Sequence, residues 1–187
     1  MQEFRLYFGI GVEHILSFEG LDHLLFIVAL TAVYQWGDWR RLLALITAFT
    51  VGHSITLACA ALGWIAAPSN WIELLIPVTI AITSASNLFK PVKNLNFGYP
   101  MALFFGLIHG MGFSASLRAM LGGHSLLIPL AGFNLGLEAG QTAVVFLFLM
   151  LSLIFVKFMS VSPRDWKMTV SSAILGAACM MIKERIF

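Results

Sequence analysis

Two histidines near the start of an otherwise apolar chain each follow an acidic residue. Glu13 directly precedes His14, and Asp22 directly precedes His23. Imidazole and carboxylate groups are ligands that suit Ni²⁺, Co²⁺ or Zn²⁺. In an unbroken helix, however, a spacing of nine residues places His14 and His23 on opposite faces, because each residue turns the helix by about 100°. The two histidines can therefore share a metal ion only if the helix breaks between them, and Gly20 favours such a break.

The surroundings of this pair allow a supporting residue and a structural alternative. Glu19 lies four residues before His23 and so shares its helical face, where it can support a metal ligand without binding the metal. In the alternative, Glu13 and His14 lie at a membrane interface, and Asp22 pairs with His23 for structural reasons alone. The metal hypothesis therefore depends on whether the break brings the two histidines together.

Two further histidines lie in the middle of apolar segments. His53 belongs to a polar stripe with Thr50 and Ser54, and His109 follows Gly106, a small residue that permits close helix contact. Strongly polar side chains persist in a membrane when they are paired, face a cavity or perform a function. We expect His53 and His109 to be metal ligands that Thr50 and Ser54 support. Hydroxyl groups that only bond to carbonyls of their own helix are the alternative for those two residues.

A third polar stripe carries a carboxylate far from any predicted helix end. Asn134, Glu138 and Gln141 have the spacing i, i+4 and i+7, so they share one face. A buried carboxylate needs a partner, and the candidates are a histidine, a metal ion or a proton. We expect Glu138 to join His53 and His109 at one buried site, with Asn134 and Gln141 as supporting donors. We expect the same site to include His14, Asp22 and His23. The alternative is an interhelical hydrogen bond without a functional role.

The elements that must position these residues are membrane helices. The chain has 187 residues, of which 59% are hydrophobic and 11% are charged, and its mean hydropathy is +0.90. Soluble domains carry about 25% charged residues. We therefore predict an all-α, polytopic integral membrane bundle in a single transmembrane domain spanning residues 1–187, with the lipid bilayer as its solvent. The net charge of +2 comes from scattered basic residues, which excludes a nucleic-acid partner.

The apolar segments predict six transmembrane helices with an irregular first helix. They cover about residues 6–34, 41–64, 72–89, 99–120, 126–158 and 166–182. Lysine and arginine are more frequent in the loops after the first, third and fifth helices, which predicts that these loops face the cytoplasm. Both termini would then lie outside the cytoplasm, on a protein of the inner cell membrane. The candidate protein partners are a second copy of the chain and an accessory protein.

Five segments together resemble the HupE/UreJ family of hydrogenase and urease accessory membrane proteins, particularly its second, short branch. They are residues 11–16, 20–26, 46–57, 105–113 and 133–141. The resemblance implies six to eight helices and uptake of nickel or cobalt, and the histidine motifs are also similar to those of nickel/cobalt permeases. The chain departs from the permease motif because Ile15 replaces its proline, and because seven residues separate His14 from Asp22.

Two functions from different classes follow from these residues. In a divalent-metal permease, His14, Asp22 and His23 would capture the ion, and His53, His109 and Glu138 would carry it inward. In an intramembrane hydrolase or transferase, the His/Asp ligands would hold Zn²⁺ with an open water position, and Glu138 would be the catalytic base. A permease requires polar groups at several depths, whereas an enzyme requires one compact site. A purely structural partner in a larger assembly is the third option.

Overall fold

The all-helical class predicted from the sequence is confirmed. The computed structural model describes residues 1–66, 68–89, 95–121 and 126–187, except for the side chains of residues 19, 95–97 and 121, and these described residues form no strand. The helices are α1 (Gln2–Leu16), α2 (Leu21–Thr31), α3 (Trp39–Ala61), α4 (Ser69–Phe89), α5 (Leu95–Gly112), α6 (Ser114–Leu121), α7 (Leu127–Leu153) and α8 (Pro163–Ile186).

The predicted irregularity of the first helix is confirmed. α1 ends at Leu16, Ser17 is extended, a 3₁₀ turn follows, and α2 continues at an angle of 67° to α1. Gly20 lies against the backbone of α1, and a Cβ at that position would overlap the carbonyl oxygen of His14. The break therefore depends on a residue without a side chain at the point where the chain turns back onto α1.

The fourth predicted helix is not continuous. α5 ends at Gly112, and α6 begins at Ser114 with its axis bent by 49°. Glycine is a poor helix former, and the Ser114 hydroxyl donates to the carbonyl of Met111 at 2.8 Å, which competes with regular helical hydrogen bonding. The local sequence at this position thus favours a bend that the apolar pattern alone does not reveal.

The prediction of six membrane spans is not confirmed. Among the described residues, Trp36–Ala61, Ser69–Phe89 and Leu127–Phe158 are long and apolar enough to cross a membrane, and the total rises to five if each bent pair is one span. α8 is not in this group. Its uncharged stretch between Lys167 and Lys183 is shorter than the roughly 20 residues that a span needs.

Backbone contacts at glycines hold two helix pairs together. A Cβ at Gly106 of α5 would overlap the carbonyl oxygen of Phe49 in α3, and a Cβ at Gly11 of α1 would overlap that of Phe133 in α7. Such close packing through small residues is typical of helices in membranes. It brings the histidines of α3 and α5 to neighbouring positions and carries the end of α1 towards them.

Candidate metal centre

Four imidazole rings from four helices meet inside the bundle. The ring centroid of His23 lies 4.6 Å from that of His14, 5.7 Å from that of His53 and 4.8 Å from that of His109. His23, His53 and His109 are buried, with 3%, 0% and 0% of their surfaces exposed. Together with Asp22, these four residues are called the histidine cluster below. The structure thus brings five of the six predicted ligands together.

One triad within the histidine cluster consists of imidazoles alone. His14, His23 and His53 each offer a ring nitrogen, and these atoms all lie within 4.8 Å of one another. Nitrogen ligands of a tetrahedral metal at about 2.1 Å lie roughly 3.4 Å apart. Small side-chain movements could therefore close the triad around an ion.

The ring nitrogens of this triad lack protein partners. His14 Nε2, His23 Nε2 and both nitrogens of His53 are buried without a hydrogen bond among the described residues. A neutral imidazole carries one N–H donor and one acceptor. His53 therefore has one donor and one acceptor without a partner in an apolar interior, an arrangement that a bound ion or an ordered water molecule would satisfy.

Asp22 determines the tautomer of His23. Its Oδ1 accepts a hydrogen bond from His23 Nδ1 at 2.7 Å and another from the His23 backbone N–H at 2.7 Å. Because the carboxylate accepts from Nδ1, the lone pair of His23 lies on Nε2, which has no partner in the part of the chain that the structure describes. A carboxylate that orients a histidine in this way is common beside bound metals. Asp22 also forms a second triad with His23 and His109, whose ligand atoms lie within 4.8 Å of one another.

Thr79 fixes the orientation of His109 from the neighbouring helix. Its hydroxyl donates to the carbonyl of Ile76 at 2.7 Å, so its oxygen accepts from His109 Nε2 at 3.0 Å. The remaining nitrogen of His109, Nδ1, is buried and carries the lone pair, and none of the described residues bonds to it. Sequence reasoning missed Thr79. The available signal was a hydroxyl residue two positions after Pro77 in an apolar helix.

Aromatic rings enclose the cluster. The His14 ring lies 4.5 Å from Phe113, which stacks on Phe133 at 4.7 Å, and His109 lies 5.1 Å from Phe49. An apolar shell limits water access and lowers the local dielectric constant, which tunes a metal site. It also favours neutral imidazole, the form that binds metals.

Glu138 is the predicted ligand that the structure places elsewhere. Its Oε1 accepts a hydrogen bond from Thr47 at 2.5 Å, and both residues line a groove of about 340 Å³ between α3 and α7. Thr47 precedes His53 by six residues, which is about 9 Å along the helix axis. Glu138 therefore faces α3 nearly two turns away from the histidine cluster, in an interhelical hydrogen bond.

The predicted supporting residues lie along the same helix pair. The Thr50 hydroxyl donates to Gln141 Oε1 at 2.9 Å, and Ser54 donates to the Thr50 carbonyl at 2.7 Å. Asn134 lines the groove, and its Oδ1 is buried with no hydrogen-bond partner among the residues that the structure describes. The side chain of Glu19 lies outside the described residues. The residues Thr47, Thr50, Ser54, Asn134 and Glu138 are called the α3/α7 groove below.

A cavity of about 220 Å³ connects the histidine cluster with one end of the bundle. His14, Asp22, His23 and His109 line its inner part, and the exposed pair Glu73 and Arg185 also lines it. Glu73 and Arg185 were not among the predicted site residues, because charged residues near helix ends are usually solvated. Their partnership across 112 positions of sequence becomes visible only in the fold.

These features define a helical membrane protein with a buried group of imidazoles and one carboxylate. A family model described as HupE / UreJ protein matches residues 1–185. The chain therefore belongs to the HupE/UreJ family, as its motifs indicated, and this family consists of membrane proteins related to nickel and cobalt handling. No curated protein and no solved structure matches the chain.

Proposed function

We propose that the chain is a permease for a divalent transition-metal ion of the nickel or cobalt type, and that the histidine cluster is its central binding site. The observation that carries this proposal is a set of buried ring nitrogens that have no partner within the described ranges, on His14, His23, His53 and His109. Leaving such groups unsatisfied costs about 1–3 kcal/mol each. Ligation of an ion would remove that cost while using the lone pairs that Asp22 and Thr79 orient.

Polar groups at several depths support transport over catalysis. Beyond the histidine cluster, Thr50 meets Gln141 one turn further along α3, and Thr47 meets Glu138 about 9 Å from His53. On the other side, the cavity extends to Glu73 and Arg185. A permeating ion needs several moderate sites, because it must leave each one. Glu138 then belongs to the path as an inner station and not as a ligand of the central site.

An intramembrane zinc hydrolase is the second candidate, because the cluster itself is compact. Two triads share His23, and three ligands with an open position suit catalytic Zn²⁺. Glu138, the expected base of such an enzyme, is instead bonded to Thr47. The carboxylate in the cluster, that of Asp22, is held by two hydrogen bonds from His23. Neither of these two carboxylates is therefore free to act as the base of a hydrolase.

The sidedness of the proposal follows from the basic residues. We infer an inner-membrane protein with both termini outside the cytoplasm, so that the cavity, which reaches Arg185 in the last turn of α8, opens to the same side. Cysteine labelling at Gln2 and at Asp165 would test this arrangement. Modification of both positions from one side would contradict it.

Transport is tested in proteoliposomes with a metal-sensitive dye inside. We expect wild-type protein to admit Ni²⁺ or Co²⁺, and His53→Ala to reduce the flux to the level of empty vesicles. The matched control is His124→Ala, at a histidine that the sequence places in a Gly-Gly-His-Ser loop. Tightly bound zinc with hydrolytic activity and no flux would support the enzyme instead. Absence of both metal and flux would leave the structural role.

A further inference from the structure

An ion pair lies at the outer end of the cavity that leads to the histidine cluster. Arg185 of α8 and Glu73 of α4 approach to 2.5 Å, and each side chain is 47% exposed. Both line the same cavity of about 220 Å³ as His14, Asp22 and His109. The pair is therefore in contact both with the surroundings of the bundle and with the passage to the imidazoles.

The geometry of α4 directs this pair towards the site. Glu73, Ile76 and Pro77 share one helical face and all line the cavity. Thr79, which holds His109, lies six residues after Glu73, or about 9 Å along the axis. Glu73 thus lies about 9 Å nearer to the start of α4 than Thr79, the residue that bonds to His109.

Pro77 leaves the backbone carbonyl of Glu73 without its usual helical donor. A proline in a helix has no N–H, so the carbonyl four residues earlier lacks its usual donor. That carbonyl belongs to Glu73, and Pro77 lies within the otherwise regular α4. Glu73 therefore combines a side-chain carboxylate at the cavity with a backbone carbonyl that lacks its usual helical donor. Carboxylate and carbonyl oxygens are ligands that divalent cations accept.

The guanidinium of Arg185 competes for the same carboxylate. Ion pairs that are about half exposed contribute little to stability, because water screens them. Arg185 lies in the last turn of α8, where the helix dipole favours a positive charge. A divalent cation attracts the carboxylate more strongly than a single positive charge does, so it can displace the guanidinium, which then remains near the end of α8.

We propose that Glu73 is the first binding site for a hydrated divalent cation on its way to the histidine cluster, and that Arg185 is the resident competitor that the cation displaces. The competition selects divalent over monovalent cations before any imidazole is reached. This inference rests on the proposed function, since it assumes that the cluster receives a metal ion.

The test measures how fast Co²⁺ binds to purified full-length protein, with the visible absorption of His-bound cobalt as the signal in a stopped-flow instrument. We expect Glu73→Gln to slow association about tenfold, since one charge at a cleft mouth steers cations. We expect Arg185→Gln to accelerate association, and both effects to fade at high salt. The amount of cobalt bound at saturation should stay at the wild-type level in both variants. Glu184→Gln, one residue away on α8, is the control with the same charge change, and it should associate at the wild-type rate.

Changes of the Co²⁺ association rate in opposite directions for Glu73→Gln and Arg185→Gln distinguish a cation site from a structural ion pair. If the pair only joins α4 to α8, both variants should lower the thermal midpoint and change the rate in the same direction, which would overturn the inference. An unchanged rate for Glu73→Gln would overturn it as well, while the proposed function would stand as long as wild-type protein binds cobalt. Failure of the wild-type protein to bind cobalt would refute both.

Discussion

The histidine cluster and the α3/α7 groove both place polar side chains inside apolar helices, but they differ in how those side chains are satisfied. In the groove, Thr47 bonds to Glu138, and Thr50 bonds to the neighbouring Gln141. Single atoms of two amides there, Asn134 Oδ1 and Gln141 Nε2, have no partner among the described residues. In the cluster, Asp22 and Thr79 satisfy one nitrogen each of His23 and His109 and leave the other free. His53 has no hydrogen-bond partner on either nitrogen among the described residues.

This difference separates two uses of polar groups in a membrane. Hydrogen bonds between helices in a bilayer contribute modestly to stability, about 0.6 kcal/mol on average. Their donor and acceptor both come from the protein, so they form without a ligand. Oriented imidazoles with bare nitrogens are incomplete until something binds. Under the proposed function, the cluster would therefore retain the metal ion, and the groove would contribute to its passage and to helix association.

The largest effect is expected from His23→Ala, because His23 belongs to both triads. The purified variant should lose all bound cobalt or nickel while it keeps its helical content and its elution volume. Metal analysis of the purified protein measures this directly, with His124→Ala as the control. Retention of the wild-type metal content by His23→Ala would contradict the expectation that the histidine cluster, and not the groove, binds the metal ion.

Asp22→Asn should weaken metal binding by about 10- to 100-fold, the usual cost of losing a carboxylate that orients a histidine. The amide cannot accept from His23 Nδ1 as strongly as the 2.7 Å carboxylate contact does. A cobalt titration gives the dissociation constant. Asp165→Asn, near the start of α8, changes the same charge away from the cluster and should leave the constant unchanged. Equal constants for wild type and Asp22→Asn would show that Asp22 does not orient a ligand.

Thr79→Val should cause a smaller loss of affinity, about fivefold, since it removes one hydrogen bond worth about 1 kcal/mol. His109 would lose the hydroxyl oxygen that accepts from its Nε2–H. That hydrogen bond favours the tautomer with the lone pair on Nδ1. The control is Thr83→Val, one turn further along α4, whose hydroxyl donates to the carbonyl of Thr79. The two variants differ only in contact with the imidazole, so equal titration curves would place His109 outside the metal site.

Glu138→Gln should have the smallest effect on bound metal, which we expect to remain at the wild-type stoichiometry. Glutamine can still accept from Thr47, so the helix contact is retained while the charge is lost. If the groove is an inner station, flux in proteoliposomes should fall although binding persists. Loss of bound metal in this variant would indicate that Glu138 is a ligand of the central site. The cluster and the groove would then no longer differ in metal binding.

Local sequence signals were sufficient for much of this architecture. The break between α1 and α2 follows from the spacing of His14 and His23 together with Gly20, and the structure has it at that position. The bend between α5 and α6 was not predicted, because Gly112 in an apolar segment is equally compatible with a straight membrane helix. The short uncharged part of α8 likewise reduced the number of candidate spans below six.

The sequence by itself determined the solvent of this protein, its helical class and the residue types of its site. Composition alone requires apolar surroundings, and the motifs of the HupE/UreJ family contain each histidine of the cluster. Only the tertiary structure decided which polar residues meet. Glu138 and His53 looked equivalent as polar residues in apolar helices, but contact depends on the rotation and offset of one helix against another. Glycine contacts such as that of Gly106 with Phe49 set those offsets, and they place His109 beside the imidazoles while Glu138 lies nearly two turns away from His53 on a separate surface.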